Sequence, residues 1–148
     1  MAIWHGDVST HFGHSTALPT LSRHLGIEYL ELGEDFLTGR MPVDERTRQP
    51  AGVLHGGASV ALAESLMSHG ANLCIDRGRH TCVGQEINAN HLRPVREGWV
   101  IGTARPVHVG RTTQVWQCEI RSEGGALVCI SRMTLAVIAR PEPSRGAS

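Results

Sequence analysis

The stretch Gln49-Pro50-Ala51-Gly52-Val53-Leu54-His55-Gly56-Gly57-Ala58 decides the fold, because it leads from a loop into an apolar run that predicts a long helix. Backbone N–H groups at a helix start are unpaired, and the positive end of the helix dipole favours negative charge there. The N–H of Gly56 is therefore a candidate donor to an oxyanion. The same helix carries a buried-looking carboxylate, Glu64, among the small residues Ala61, Ala63, Ser65 and Ser68.

One helix cannot present both groups to the same carbonyl. Glu64 follows Gly56 by eight residues, which corresponds to about 12 Å along the axis at about 1.5 Å per residue. Two copies packed antiparallel can bring Gly56 of one chain to Glu64 of the other across a two-fold axis. If the site is catalytic, the sequence therefore predicts a dimer with shared sites.

Composition limits the classes of protein to consider. The 148 residues suffice for one domain with a single core. The 14 basic and 14 acidic residues give a formal net charge of zero, which argues against wholesale binding of nucleic acid or of an anionic membrane. No apolar run reaches about 18 residues, and residues 1–14 lack the basic and apolar regions of a secretory signal. We expect a cytoplasmic protein.

The cysteines and tryptophans have packing as their simplest interpretation. The four cysteines include no C-x-x-C pair, and they are typical of small core residues in a reducing compartment. The tryptophans belong to no basic-aromatic repeat, so they are expected to pack rather than to stack on bases. The residues concerned are Cys74, Cys82, Cys118, Cys129, Trp4, Trp99 and Trp116.

Hydrophobic periodicity predicts two helices and six strands. The helices are expected over residues 14–25, ending at Gly26, and 56–76; the strands over 26–32, 36–41, 81–92, 99–109, 112–122 and 126–138. The first two strands form a hairpin and the last four a meander. This order predicts an α+β domain over residues 1–139, in which a curved antiparallel sheet wraps around a long central helix. Residues 140–148 are expected to be a disordered tail.

Six segments occur in an order and spacing that are specific when taken together. They are Met41-Pro42-Val43-Asp44, Gln49-Pro50, Leu54-His55-Gly56-Gly57-Ala58-Ser59, Leu62-Ala63-Glu64-Ser65, Val83-Gly84-Gln85-Glu86-Ile87-Asn88-Ala89-Asn90-His91 and His108-Val109-Gly110-Arg111. With these segments the chain resembles the hotdog-fold acyl-CoA thioesterases over about residues 24–138. The resemblance is to the subgroup that hydrolyses aromatic acyl-CoA and aroyl carrier-protein thioesters, and it implies the hotdog fold.

The resemblance implies a catalytic role for Glu64, either as nucleophile or as general base on water. It implies that the Gly56 N–H polarises the thioester oxygen, with Gln49 and His55 helping to place it. Ser68 and His91 are expected near the acyl group or the water. The residues implied to contact coenzyme A or the acyl group are Gly84, His91, Leu92, Arg93, Pro94, His108, Val109, Gly110, Arg111, Thr112 and Thr113.

The same resemblance implies a homodimer with shared active sites, assembled as a dimer of dimers. The substrate implied is a small-molecule acyl-CoA or an acyl carrier protein, with no metal and no cofactor, because coenzyme A is part of substrate and product. Two residues depart from the family's pattern, His69 after Ser68 and Gln85 after Gly84. Both can reshape the acyl pocket, so the acyl group stays open.

Plainer interpretations stand beside these roles. Glu64 can be a solvated helix residue, and Gly56 with Gly57 can serve only close helix packing. His91 can be a core histidine, since strict alternation places it on one strand face with Val83, Ile87 and Ala89. Nine histidines invite a metal site, but no H-E-x-x-H occurs, and His11 and His14 lie in a segment expected to be peripheral.

Arginines offer a local charge for coenzyme A. The side chains of Arg93, Arg105 and Arg111 can form bidentate contacts with phosphates. A solvated strand end is the alternative for Arg105.

Three functions remain open on these grounds. Thioester hydrolysis is favoured by an acid combined with a helix N-terminus. A hotdog hydratase or dehydratase would need an acid-base histidine at the substrate's α or β carbon. A non-catalytic acyl-CoA-binding module would have no use for Glu64 and the Gly56 N–H. A lipase is excluded because the chain has no G-x-S-x-G elbow.

Overall fold

The computed structural model describes residues 1–13 and 18–141, which form two helices and six strands. The helices are α1 (Leu21–His24) and α2 (Gly56–Leu73); the strands are β1 (Glu28–Leu32), β2 (Leu37–Pro42), β3 (His80–His91), β4 (Trp99–Val109), β5 (Thr113–Ser122) and β6 (Leu127–Ala139). Within these ranges no helix combines the length and the apolarity needed to cross a membrane.

The six strands form one antiparallel sheet in the order β1-β2-β4-β5-β6-β3. The predicted α+β hotdog architecture is confirmed, since the long helix α2 packs against strands β2 to β6. The predicted four-strand meander is wrong for β3, which pairs with β6 at the sheet edge and not with β4. Strand periodicity carries no information on pairing partners, so the crossing between β3 and β4 could not be read from it.

Small residues let α2 lie close to the sheet. Gly39 of β2 and Gly102 of β4 are paired across the sheet, and the side chain of Leu66 rests on both. A Cβ on Gly39 would stand 2.6 Å from Leu66 Cδ2 and 2.9 Å from the Glu28 carbonyl oxygen, so a side chain there would force its neighbours to shift. On the helix, Gly70 faces Leu37 and Trp116 at similarly short range. These contacts confirm that the small residues of α2 serve close packing against the sheet. They also determine which face of α2 is turned away from the sheet.

The first helix is shorter than predicted. Its single turn starts after Thr20, whose hydroxyl accepts a hydrogen bond from the Arg23 N–H. Gly26 has a φ of 72°, so it ends the helix as expected. The capping hydroxyl sets the start, which apolar spacing alone placed too early. Residues 14–17 of the prediction lie outside the described residues, as do 142–148 of the expected tail.

The N-terminal segment packs against the end of α2. Trp4 stacks on the buried Trp116 with ring centroids 6.4 Å apart, and its indole N–H donates to the carbonyl of Gly33. The His5 N–H donates to the carbonyl of Leu73 at 2.8 Å, which satisfies a carbonyl at the helix C-terminus. Packing roles for these two tryptophans are confirmed.

The cysteines are free thiols, and three of the four are buried in the core. Burial raises the pKa of Cys74 and of Cys118 to about 12 and that of Cys82 to about 11. Such thiols are unreactive at neutral pH. Their interpretation as small core residues is confirmed.

Candidate active site

The start of α2 leaves one backbone N–H without a partner. His55 is the N-cap residue, and its Nδ1 accepts a hydrogen bond from the Gly57 N–H at 2.8 Å. The N–H groups of Ala58 and Ser59 donate to the His55 carbonyl. Among the described residues, nothing accepts from the Gly56 N–H. The helix dipole and a free donor therefore coincide at Gly56.

The preceding loop holds Gln49 beside this donor. The His55 N–H donates to the Thr47 carbonyl, and the buried Thr47 hydroxyl donates to the Pro42 carbonyl, so the loop is anchored to the sheet. The Gln49 Oε1 accepts from the Ala51 N–H at 2.6 Å. With the oxygen held in this way, the Nε2 amide group is the part of Gln49 that can donate to a ligand.

A cavity of about 320 Å³ opens at the helix start. Five residues predicted for the site line it, namely Gln49, Gly56, His91, Arg93 and Pro94; the others that line it are Val53, Leu54, Ser59 and Val128. The ring of His91 lies directly over Gly56, since a Cβ there would stand 2.9 Å from His91 Nε2. His91 is exposed, so the alternative of a core histidine is wrong.

Glu64 lies outside this cavity in the same chain. It is exposed, which corrects the expectation of a buried carboxylate. Its carboxylate nevertheless has defined neighbours. Glu64 Oε1 lies 3.4 Å from the position that a Cβ of Gly84 would take, and Met133 contacts the same position. Ser68, one turn beyond, has its hydroxyl 3.9 Å from Met133 Sδ. The structure thus brings together Glu64, Ser68 and Gly84 as a second cluster.

A β-bulge in β3 lets one strand serve both clusters. Gly84 pairs with Leu135 and Glu86 pairs with Thr134, so Gln85 is the extra residue. Before the bulge, Cys82 and Gly84 face α2; after it, His91 does. Strict alternation would put Gly84 and His91 on opposite faces, because His91 follows Gly84 by seven residues, an odd offset. The predicted face of Val83, Ile87, Ala89 and His91 is therefore wrong at Val83, which is 40% exposed.

The implied coenzyme A residues lie at two places. Leu92 and Arg93 extend β3 beside Val128, and an Arg93 guanidinium N–H donates to the Leu127 carbonyl at 2.9 Å. The segment His108–Thr113 is the β4–β5 hairpin, closed by a hydrogen bond from the Gly110 N–H to the Thr113 carbonyl. Thr113 pairs with Ala136, and Ala136 with Val83. The hairpin therefore lies two strands, or about 10 Å, from β3 on the Gly84 side.

Arg105 was considered as a ligand for the phosphates of coenzyme A, but its side chain is bound to a carboxylate of the protein. Its guanidinium forms an ion pair with Asp35 at 2.7 Å and covers the Phe36 ring. The geometry fits the alternative interpretation, a strand-end residue, rather than a phosphate ligand. Within the described part of the chain, no three histidine, cysteine or acidic side chains converge as metal ligands would; His14 lies outside that part.

The two residues that depart from the family's pattern have distinct surroundings. Gln85 is the bulge residue of β3. His69 lies against Tyr29, with ring centroids 4.6 Å apart, and against Phe12. Its Nε2 is buried without a hydrogen-bond partner. Burial, together with the positive charges of Arg77 and His11, lowers the pKa of His69 to about 4. His69 is therefore a neutral ring at physiological pH.

The chain is similar in sequence and in fold to known thioesterases. A model of the Thioesterase superfamily matches residues 51–129. The chain is similar to the 1,4-dihydroxy-2-naphthoyl-CoA hydrolase of Escherichia coli strain K12, with 53% identity over 77% of this chain and 83% of the relative. It is similar to the proofreading thioesterase EntH of Cronobacter turicensis, with 46% identity over 92% of this chain and 98% of the relative. A solved thioesterase of Haemophilus influenzae superposes with a TM-score of 0.80 and 54% identity, over 84% of this chain and 86% of that one.

Proposed function

Because this chain belongs to the thioesterase superfamily, we propose that it hydrolyses an aromatic acyl-CoA at a site formed by two copies of the chain. The observation that carries the proposal is the unpartnered Gly56 N–H at the start of α2, in a cavity with Gln49. Glu64 lies about 12 Å further along the same helix. A second copy supplies the carboxylate that this cavity lacks.

The free edge of β3 supports a specific dimer. The Asn72 side chain already bonds the N–H and carbonyl of Cys82, so the part of the edge left for pairing runs from Gly84 to His91. No described strand pairs with that edge, and an unpaired edge is a template for a second strand. Antiparallel pairing about a two-fold axis at Asn88 keeps opposed residues on the same face of the sheet, and it sets the bulge at Gly84 and Gln85 of each copy opposite His91 of the other. Glu64 then approaches the other copy's Gly56.

The catalytic roles follow from this arrangement. Glu64 acts on the thioester carbonyl, either directly as a nucleophile or by removing a proton from the attacking water. The carbonyl oxygen gains negative charge, which the Gly56 N–H and the Gln49 amide stabilise. The C–S bond then breaks, and coenzyme A leaves as the thiolate. Attack by water gives the free acid directly, whereas attack by Glu64 leaves an acyl anhydride on Glu64 that a water molecule then hydrolyses. His55 positions the donor by capping the helix, while Ser68 and His91 border the acyl group or the water.

The remaining features of the proposal concern the acyl group, the cofactors, the cellular setting and the assembly. The aromatic acyl group is favoured by the name of the Escherichia coli relative. The acid, the helix start and the amide suffice for hydrolysis, so we propose no cofactor and no metal. Four free thiols support a reducing, cytoplasmic setting. Assembly of two dimers into a dimer of dimers is retained as part of the proposal from the resemblance.

A substrate panel tests the proposed function. Purified protein is mixed with benzoyl-, hydroxybenzoyl-, dihydroxynaphthoyl-, hexanoyl- and palmitoyl-CoA, and release of free thiol is followed. We expect kcat/KM for the best aromatic substrate to exceed that for the alkyl substrates by about tenfold or more. A preference for alkyl chains contradicts the aromatic assignment. Saturable binding of these thioesters with no thiol release contradicts hydrolysis and favours a binding module.

A further inference from the structure

Asn72, in the last turn of α2, holds the free edge of β3 through hydrogen bonds. Its Nδ2 group donates to the Ser68 carbonyl at 2.9 Å and to the Cys82 carbonyl at 3.3 Å. Its Oδ1 accepts from the Cys82 N–H at 2.9 Å and from the Thr81 hydroxyl at 3.4 Å. The amide thus uses both of its donors and both of its acceptor positions. At Cys82 it takes the place of a neighbouring strand, because it binds the N–H and the carbonyl of one residue together.

The side chain of Cys82 is fixed to the same turn of the helix. Its thiol donates to the Ala71 carbonyl at 3.5 Å, and the Nε2 group of Gln114 contacts both the sulfur and that carbonyl. Gln114 is completely buried, and its Oε1 accepts from the indole N–H of Trp116 at 2.8 Å. Strand β3 is therefore tied to α2 at one residue, by the backbone at the edge and by the side chain in the core.

The backbone of Asn88 faces away from the free edge. The Asn88 carbonyl accepts from the Ser131 hydroxyl at 2.8 Å, so it is directed toward β6. In the dimer of the proposed function the two-fold axis lies at Asn88. This residue then meets its own copy as a non-hydrogen-bonded pair, with Cα atoms about 4.5 Å apart. On either side of the axis, Ile87 of each copy bonds Ala89 of the other.

Side-chain alternation alone does not exclude a second register for this strand pair. Moving the axis to Ile87 slides the two copies past each other by two residues, about 7 Å, and keeps every side chain on its face of the sheet. With the bulge counted as one position, Cys82 would then pair with His91 of the other copy, and the ladder would be longer at each end. Asn72 closes this register, because both edge groups of Cys82 are already bound.

We propose that Asn72 is a positioning residue for hydrolysis: by occupying the edge of β3 at Cys82, it sets the register in which two copies pair. The inference rests on the proposed function, in which Glu64 of one copy serves the Gly56 site of the other. A slide of about 7 Å separates these two groups, and a misplacement of about 1 Å can already cost about 10²-fold in rate. Asn72 does not line the cavity at Gly56, so substrate affinity should depend on it little.

The kinetic test is Asn72→Ala, which removes every hydrogen bond of the amide and keeps a strong helix former in α2. We expect kcat for an aroyl-CoA to fall about tenfold or more, while KM stays within about threefold of wild type. Ser65→Ala is the matched control, since the Ser65 hydroxyl also donates to the carbonyl one turn earlier, that of Ala61, and otherwise contacts α1. Its kcat should stay within about twofold of wild type. Rates are measured at concentrations at which size-exclusion chromatography shows no monomer.

A cross-link across the two-fold axis measures the register itself. Asn88 is exposed, and cysteines introduced there by Asn88→Cys lie within the Cα separation that a disulfide bridges. After the slide, the two Cα atoms would be about 8 Å apart, too far for a disulfide. We expect disulfide formation with an added oxidant to be slower in Asn72→Ala/Asn88→Cys than in Asn88→Cys, by about the same factor as kcat. The cross-linked fraction of the double variant is held in the first register and should regain most of the kcat of Asn88→Cys.

The outcomes separate this inference from the proposed function. Equal cross-linking rates with and without Asn72, or a kcat of Asn72→Ala within about twofold of wild type, overturn the inference. A lower kcat that the cross-link does not restore also overturns it, because the loss then does not come from the register. If wild type hydrolyses no aroyl-CoA, the proposed function fails, and the two cross-linking rates still decide on Asn72. If Asn88→Cys alone forms no cross-link, the pairing of β3 is wrong and the inference fails with it, whatever the activity.

Discussion

Replacing Glu64 by glutamine is expected to lower kcat for an aroyl-CoA by about 10³-fold, as for the loss of a general base or nucleophile. Glutamine keeps the size of the side chain, and Glu64 is exposed in the single chain. The free energy of unfolding should therefore change little. Steady-state thiol release and a thermal melt of the same sample measure both quantities.

A matched control separates this effect from charge alone. Glu31 is also exposed, lies on β1 and forms no ion pair with a described residue. Glu31→Gln should leave kcat within about twofold of wild type, as expected for an exposed residue outside the site. A Glu64→Gln protein with wild-type turnover would remove Glu64 from the chemistry and, with it, the need for a second copy.

Replacing Gly56 by proline should lower kcat by about 10²- to 10³-fold, the usual cost of removing one oxyanion donor. Proline removes the N–H and is favoured at the first position of a helix. The preceding residue, His55, has φ −69° and ψ 130°, a conformation that is allowed before proline. Helix α2 should therefore form normally, which circular dichroism can verify.

Gly56→Ala is the matched control for the added side chain. Its Cβ meets the His91 ring at 2.9 Å, as a proline Cβ would, but its N–H remains. We expect the alanine variant to lose much less activity than the proline variant. Equal losses in the two variants would show that displacement of His91, rather than loss of the N–H, causes the effect.

The sequence predicted the architecture well because the signals were local. The glycine-rich start of α2, its small-residue face and the alternation of β4 to β6 each follow from short-range physics. The place of β3 beside β6 depends instead on contacts across the whole sheet. The start of α1 is set by the Thr20 hydroxyl, which caps the helix. This capping signal is present in the sequence, but the prediction followed the spacing of apolar residues instead.

The sequence identified candidate residues for the site, but it did not predict how the chain arranges them in space. Gly56 and His91 meet in one cavity and Glu64 lies with Gly84, yet only the bulge at Gln85 lets β3 contact both groups. A bulge leaves no periodic signal, although a glycine followed by a polar residue inside a strand is a hint. Asn72, which occupies the strand edge at Cys82, was missed because a helical asparagine is usually solvated.

The shared active site is tested most directly by complementation between two inactive variants. Gly56→Pro and Glu64→Gln chains carrying different affinity tags are co-expressed, and mixed dimers are isolated over two columns. In such a dimer one site holds both substitutions and the other holds none. The account predicts that the mixed dimer regains about half of the wild-type activity, while each parent stays inactive. A mixed dimer as inactive as its parents would contradict a site built from two copies.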